Sequence, residues 1–341
     1  MNKPCFLIAL LLAAYLLTAC ATSSAPAPQW VSSMKDIYPE SIYISGLGEG
    51  KTRQEAETKA LAAISYFFVT QINSSISISE TYTRRNGERS SEIRVIDNTA
   101  AETQTKLMAV RYSNEPWFNP RTKSWETVAY INREEGWRAF LPEAQRHSDK
   151  LLALINAADT QTEPFNAFLL YGSAREYANT EYNEVRMFAQ ILNTGRAQAF
   201  FRDTDSKLGQ LTEKRIAARN KASVFVECPV DYNRIIYQSM VKVLGDIGFA
   251  VEQNRNAAST RSLVQVDEGM QSLDAGYHYN PALTVTISGA RGALFSFKVQ
   301  TGRQSALNQD LAKRRAYTAL AEELEKSFAA ELAKFQNALG R

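Results

Sequence analysis

The amino-acid sequence predicts a protein of the α+β class with three parts. The first is an N-terminal α+β domain with a helix on a mainly antiparallel sheet. The second is a helical hairpin spacer, and the third is a small C-terminal α/β sandwich with a long closing helix. Three observations support this prediction: a helix with a small-residue face follows a short strand, apolar and polar residues alternate in later segments, and a long middle stretch has helical periodicity.

The N-terminal domain is predicted at residues 30–141. Ile42–Ile44 predicts a short strand, and a helix is expected to begin at Thr52, where Glu55 completes a capping box. Apolar residues at helical spacing then predict a narrow face that lies on a sheet, namely Ala56, Ala60, Ala63, Ile64 and Phe67.

The rest of this domain is predicted as an antiparallel meander. Apolar and polar residues alternate from Ile72 to Tyr82, which is typical of a half-buried strand. A charged turn follows at residues 84–89. Leu107–Tyr112 and Trp125–Ile131 predict two strands joined through residues 119–121.

Residues 142–221 have helical periodicity without a strict heptad repeat, which predicts a helical hairpin or a three-helix spacer.

The last part, residues 222–341, predicts a small α/β sandwich. Its elements are expected to be a strand at 224–226, a helix at 233–244, a strand at 249–251, a hairpin around 289–292 and a closing helix at 306–338. One apolar stripe runs along that helix and comprises Tyr317, Leu320, Leu324, Phe328 and Phe335.

The N-terminus predicts an export signal, residues 1–19. Lys3 supplies a positive charge, and Phe6–Leu17 is an uncharged apolar run, shorter than the roughly 20 residues that span a bilayer. The sequence Leu17-Thr18-Ala19-Cys20 then resembles the lipobox of bacterial lipoproteins. That resemblance implies cleavage before Cys20, a lipid on Cys20 and a polar tether over residues 20–29. The alternative is a buried cysteine in a helix.

Composition limits the remaining chemistry. With Cys5 in the signal and Cys20 lipidated, only Cys228 is left, so no intramolecular disulfide is expected. The net charge is +3, with basic and acidic residues interspersed, and no basic block contains interleaved aromatic residues. Nucleic-acid binding is therefore not predicted.

No catalytic, metal or cofactor site is predicted. The glycines of residues 46–50 resemble part of a dinucleotide fingerprint, but Lys51 stands where its third glycine is required. A tight turn and a close helix–sheet approach are the favoured interpretation. His147 and His278 have no neighbouring ligands or nucleophile, and surface positions are expected for both. Cys228 is expected to be a small buried apolar residue.

Two groups of residues are candidate partner contacts. Trp117 and Phe118 lie in a predicted loop and would suit a protein or lipid contact, although packing on the domain's own sheet edge is the favoured alternative. Lys313, Arg314 and Arg315 could bind an anionic partner, but such a run is usually a solvated helix face.

The N-terminal part resembles the Lpp-twenty family of bacterial lipoproteins. The residues that support this resemblance are Trp30, Tyr38-Pro39, Tyr43–Gly48, the helix with Ala56 and Ala60, Trp117, Trp125 and Ala129–Arg133. The family implies an exported outer-membrane or surface lipoprotein without catalytic activity. The C-terminal part is loosely similar, in element order, to modules of curli-secretion lipoproteins, of penicillin-binding-protein activators and of the N-terminal part of the Tol translocation protein B.

The sequence thus leads us to expect a lipid-anchored, non-enzymatic scaffold or interaction protein on the periplasmic face of the outer membrane. Ala21, rather than an aspartate, follows the lipobox cysteine, and lipoprotein sorting then favours the outer membrane. Expected partners are the membrane, through Cys20, and an envelope protein; a homo-oligomer is left open. The alternative is a regulatory activator of a cell-wall synthase or secretion assembly that acts through the C-terminal module. A hydrolase of envelope polymers ranks third.

Overall fold

The structure is a computed structural model that describes residues 26–80, 107–273 and 276–339. The first half contains α1 (Gln29–Ile37), β1 (Tyr43–Gly50), α2 (Arg53–Glu80), β2 (Arg111–Tyr112), β3 (Trp117–Asn119), β4 (Ser124–Asn132), α3 (Arg133–Asp159), α4 (Pro164–Tyr177), a π-helical turn (Ala178–Tyr182), α5 (Asn183–Leu192) and α6 (Thr194–Lys221). The second half contains β5 (Ser223–Glu227), α7 (Ile235–Ile247), β6 (Ala250–Glu252), β7 (Thr260–Asp267), β8 (Met270–Leu273), β9 (Gly276–Tyr279), β10 (Ala282–Gly289), β11 (Gly292–Gln300), β12 (Gln304–Ala306) and α8 (Gln309–Leu339).

These elements form two compact units, and the fold is of the predicted α+β class. The N-terminal unit comprises residues 1–142 and 187–197, and the C-terminal unit comprises residues 143–186 and 198–341. Most of the segment predicted as a spacer therefore shares a unit with the C-terminal module. None of the helices that the structure describes combines the length and apolar character needed to cross a bilayer.

The N-terminal unit is a helix on an antiparallel sheet in which β4 pairs with β1, β2 and β3. Gly46, Gly48 and Gly50 occupy alternate positions of β1 and face α2. A Cβ at Gly48 would lie 2.0 Å from the Ala56 carbonyl oxygen. The predicted close approach of helix and sheet is confirmed, but the glycines lie inside the strand, not in a turn after it.

The beginning of α2 was predicted correctly and its end was not. The Thr52 hydroxyl accepts a hydrogen bond from the Glu55 amide at 3.1 Å, as a capping box requires. The helix then continues to Glu80, so the strand predicted from Ile72 is wrong over residues 72–80. Ile64, Phe68 and Ile72 are buried at a spacing of four, so the helical face extends to Ile72. Tyr82 and the charged turn lie outside the described residues.

One of the two predicted meander strands is confirmed in full. β4 covers the predicted strand at Trp125–Ile131, whereas only Arg111–Tyr112 of the predicted strand Leu107–Tyr112 forms a strand, β2. The predicted connection at 119–121 is partly wrong, because Asn119 ends the additional strand β3, which forms a hairpin with β4. Lys123 in the turn of this hairpin has a positive φ of 54°.

The C-terminal unit contains two sheets. A five-stranded mixed sheet has the order β11-β10-β7-β5-β6, in which β5 runs parallel to its neighbours β6 and β7. A three-stranded antiparallel sheet has the order β12-β9-β8. The α8 stripe predicted from the sequence is confirmed, since Tyr317, Leu320, Leu324 and Phe328 are buried and Phe335 packs on Phe295.

Helix α4, in the segment predicted as a spacer, belongs to the core of this unit. Phe249, which leads into β6, stacks on Phe165 of α4 with ring centroids 4.6 Å apart, and Phe168 meets the same ring edge-on at 4.9 Å. All three rings are almost fully buried. The stability of the C-terminal sheet therefore depends on α4.

Candidate functional site: an open edge strand

The predicted lipidation site, Cys20, lies outside the described residues. Trp117 and Phe118, expected in a loop, are residues of strand β3. Phe118 is 45% exposed, and its ring meets Trp125 of the adjacent strand at a centroid distance of 5.7 Å. This pair thus packs on its own sheet edge, as in the alternative interpretation.

Lys313, Arg314 and Arg315 lie in the first turns of α8, and two of the three have partners within the described part of the chain. Lys313 Nζ lies 2.8 Å from a carboxylate oxygen of Glu268, and Arg315 donates a hydrogen bond to the Ser305 carbonyl at 3.0 Å. Arg314 is exposed and makes no ion pair within the described part of the chain. Because successive helical residues point in different directions, the three side chains are separated.

The expectation that both histidines lie on the surface is wrong. His147 is 6% exposed, its Nδ1 is 2.6 Å from the Tyr177 hydroxyl, and its Nε2 is 3.1 Å from a Glu143 carboxylate oxygen. His278 is 9% exposed and lies in β9, where Nδ1 is 2.7 Å from the Ser305 hydroxyl. Burial raises the pKa of Tyr177 to about 12. Both rings are thus buried with hydrogen-bonding partners.

Over the residues that the structure describes, no three His, Cys, Asp or Glu side chains are grouped so that they could hold a metal ion. Cys228 is half-buried, and burial together with Asp231 raises the pKa of its thiol to about 12. A thiol with such a pKa is a poor nucleophile at neutral pH. That the protein has no cofactor and no enzymatic activity stays a prediction.

The three-stranded sheet of the C-terminal unit has one face packed on α8. Tyr279 of β9 is fully buried there against Ala312 and Ala316, with Tyr277 and Ala306 beside them. The small side chains of α8 let the helix approach the sheet closely. This packing holds β9 in place, and β9 in turn holds β8 by antiparallel pairing from Met270–Tyr279 to Leu273–Gly276.

β8 is an open edge strand. It pairs with β9 and with no other strand that the structure describes. All four of its residues are exposed, and its sequence, Met270-Gln271-Ser272-Leu273, contains neither a charge nor a proline. Natural proteins usually protect an edge strand with charged residues, proline, a bulge or a covering element, because its free N–H and C=O groups can pair with another chain.

Two exposed leucines lie at the same end of this sheet, one on each side of β9. Leu273 is 54% exposed and pairs in register with Gly276. Leu307, which directly follows β12, is 86% exposed, and its Cα would lie 3.4 Å from a Cβ at Gly276. Gly276 lies between them, and a Cβ there would also lie 2.7 Å from the Ala306 carbonyl oxygen, so this glycine lets the end of β12 approach β9 closely. We call the edge of β8 together with Leu273 and Leu307 the β8 surface.

The sequence interpretation did not identify this surface. The sequence predicts no strand over residues 270–279 and a surface position for His278, whereas the structure has β8 and β9 there. The alternation of Tyr277, His278 and Tyr279 is a strand signal, but four residues of β8 are too few for a periodic pattern.

Comparison with known proteins does not assign a family. No family model matches the chain, and no curated protein matches it. Among solved structures, the secreted protein HP1454 from Helicobacter pylori aligns at 12% identity and a TM-score of 0.40, over 86% of this chain and 97% of that one. A "putative lipoprotein" from Caulobacter crescentus CB15 aligns at 12% identity and a TM-score of 0.22, over 34% of this chain and 87% of that one. At these values both similarities are weak, and the likeness to the Lpp-twenty family stays a resemblance.

Proposed function

We propose that this protein is a lipid-anchored envelope protein that works without catalysis and docks an extended segment of a protein partner along the β8 surface. The observation that supports docking is the uncharged, fully exposed edge of β8. The lipobox at Leu17–Cys20 supports the anchor, and Ala21 supports sorting to the outer membrane.

The proposed contact is the addition of a strand to a sheet edge. In this mode main-chain hydrogen bonds supply affinity, and alternate side chains supply specificity. The partner segment would be extended along the free edge of β8 and would cover Leu273, and its flanking residues would cross the end of the sheet to Leu307. Covering one exposed leucine contributes about 1.5–3 kcal/mol at most, so two leucines suit a regulated or moderately tight contact.

The anchor and the β8 surface restrict where the partner can be. The tether of residues 20–29 reaches roughly 30 Å when extended at about 3.1 Å per residue. The folded part would therefore stay near the membrane. We place the protein on the periplasmic face of the outer membrane, where the partner would be another envelope protein.

A photo-crosslinking experiment tests docking at the β8 surface in cells that produce the full-length lipidated chain. A benzoyl-phenylalanine is placed at Leu273, at Leu307 or at Ile216, a control position in α6 that is 53% exposed. We expect positions 273 and 307, but not 216, to capture the same protein. Leu273→Lys should abolish capture from position 307 and leave the melting temperature unchanged, whereas Ile216→Lys should leave capture intact.

Two results would overturn docking at this edge. One is equal capture from position 216, and the other is full capture from position 307 in the Leu273→Lys variant. If the captured protein is a cell-wall synthase or a secretion component whose activity falls in the Leu273→Lys variant, the protein is a regulatory activator and not a passive scaffold. Loss of labelled lipid in Cys20→Ser tests the anchor separately.

A further inference from the structure

Three arginines of the C-terminal unit lie together beside an open pocket. Arg175 comes from α4, and Arg215 and Arg219 come from α6. Arg175 and Arg215 line a pocket of about 470 Å³ together with Glu176 and with Asn179 and Thr180 of the π-helical turn. A π-helical turn is rare and is frequently found at functional sites.

None of these arginines forms an ion pair with a carboxylate in the described part of the chain. Neighbouring basic residues are paired: Lys214 binds Asp159 at 2.7 Å, and Arg186 binds Asp205 at 2.9 Å. Glu176 lies at the same pocket but makes no ion pair with Arg175 or Arg215. The cluster therefore has an excess of positive charge that the unit itself does not neutralise.

This arrangement costs stability. Arg215 and Arg219 are four residues apart on one helix, and like charges at that spacing destabilise it. Burial, and then the charges of Arg175 and Arg219, lower the pKa of the Arg215 guanidinium. The Nε of Arg215 is also buried without a hydrogen-bond partner, and an unpaired buried donor is unfavourable. An anion bound at these guanidinium groups would offset the repulsion between the arginines.

The two guanidinium groups at the pocket are held in different ways. Arg215 lies over the Phe168 ring, 4.8 Å from its centroid, so its plane is fixed by an aromatic contact. Arg175 is exposed and can turn toward a ligand. Behind them, Arg219 Nε donates to the Gly248 carbonyl at 2.7 Å, which keeps its charge near Arg215.

We propose that this pocket, which we call the arginine pocket, binds a phosphate group. Guanidinium groups match the oxygens of an oxyanion through paired N–H donors, and both phosphate and carboxylate can be recognised in this way. The two arginines at the pocket and Arg219 behind them outnumber Glu176, and this excess of positive charge favours the more highly charged phosphate. The group could belong to a soluble phosphate compound or to the headgroup of a phospholipid. This proposal is independent of docking at the β8 surface.

Titration of the folded chain with inorganic phosphate, followed by 31P NMR and by thermal melting, tests the proposal. Chloride at the same ionic strength and acetate serve as comparison anions. We expect saturable phosphate binding and a rise in melting temperature, with weaker effects of acetate. Arg175→Gln should weaken phosphate binding at least tenfold, and the matched control Arg202→Gln, an exposed arginine on α6, should not change it.

Melting temperatures distinguish a role of Arg175 in phosphate binding from a purely structural role. Without phosphate, Arg175→Gln should melt at the same or a higher temperature, because a repulsive charge has been removed. At saturating phosphate the wild-type chain should melt higher than the variant. Arg215→Lys keeps the charge but loses the paired donors, so it should bind phosphate more weakly than the wild type does.

Vesicles of phosphatidylcholine with phosphatidylglycerol identify the source of the phosphate group. Binding of both inorganic phosphate and glycerol phosphate indicates a soluble ligand. Binding of the vesicles alone, lost in Arg175→Gln and kept in Arg202→Gln, indicates a lipid headgroup. The proposal is overturned if neither phosphate nor vesicles bind, or if Arg175→Gln binds them as well as the wild type does.

Discussion

Replacing Gly48 by alanine should destabilise the N-terminal unit severely. The added Cβ would lie 2.0 Å from the Ala56 carbonyl oxygen and 2.3 Å from the Ala60 nitrogen, whereas non-bonded heavy atoms prefer separations of about 3.5–4.0 Å. Both obstructing atoms belong to the backbone of α2, so no side chain can rotate away and the helix itself must move by more than about 1 Å. Overpacking typically costs about 1–3 kcal/mol, and we expect a loss near the upper end, about 3 kcal/mol.

Tryptophan fluorescence during urea unfolding measures this effect selectively, because all four tryptophans, Trp30, Trp117, Trp125 and Trp137, belong to the N-terminal unit. The free energy of unfolding of a small protein falls by about 1–3 kcal/mol per molar urea. A loss of about 3 kcal/mol in that free energy therefore lowers the urea concentration at the midpoint by about 1–3 M. Gly195→Ala is the matched control, since it adds the same methyl group in the same unit, where the new Cβ would lie 3.9 Å from Asn193 Oδ1. An unchanged midpoint in Gly48→Ala would refute the close contact of β1 with α2.

Three further outcomes are expected. Cys20→Ser should leave an unprocessed precursor without labelled palmitate; normal labelling would contradict the lipobox prediction. A fragment of residues 222–341 should lack a cooperative thermal transition, because Phe249 loses its packing on α4, whereas residues 143–341 should unfold cooperatively; equal stability of the two fragments would contradict this packing. Since the pKa of Tyr177 is raised to about 12 from an ordinary value near 10, its contribution to stability is complete below pH 10 and is lost as the pH approaches 12. Tyr177→Phe should therefore lose less stability than the wild type between pH 8 and pH 11, measured by far-UV circular dichroism in urea; equal losses would argue against a buried phenol.

Features that depend on neighbouring residues could be predicted from the sequence. The capping of α2 by Thr52, the small-residue face with Ala56 and Ala60, and the apolar stripe of α8 follow from spacing within one element. The hairpin between β10 and β11 follows from the turn around Gly292, whose φ is 121°. In each case the information lies within a few turns of helix or two adjacent strands.

Features that depend on distant contacts could not be predicted in this way. Ile72 and Ile76 are four residues apart, so the alternating segment also fits a helix, and α2 continues through it. The burial of His147 depends on Tyr177, thirty positions later, and β9 becomes a strand because β12 and α8 hold it. In each case the local sequence is compatible with two structures, and contacts with distant residues determine which of the two forms.

The β8 surface and the arginine pocket share a physical property, although they would bind different ligands. At each one the chain departs from a rule that it follows elsewhere: the edge strand β8 has no charge or proline to protect it, and the three arginines make no ion pair with a carboxylate in the described part of the chain. Folding does not require either departure, since a lysine at Ser272 would protect the edge and a glutamate at Asn179 could neutralise the cluster. Because departures from local consistency tend to occur where function has been selected, ligand binding explains both better than stability does. The substitutions themselves test this argument: if function needs open binding surfaces, Ser272→Lys should reduce partner capture and Asn179→Glu should reduce phosphate binding. Neither variant should fold less stably than the wild type, and a clear loss of stability in either would show that the departure serves the fold.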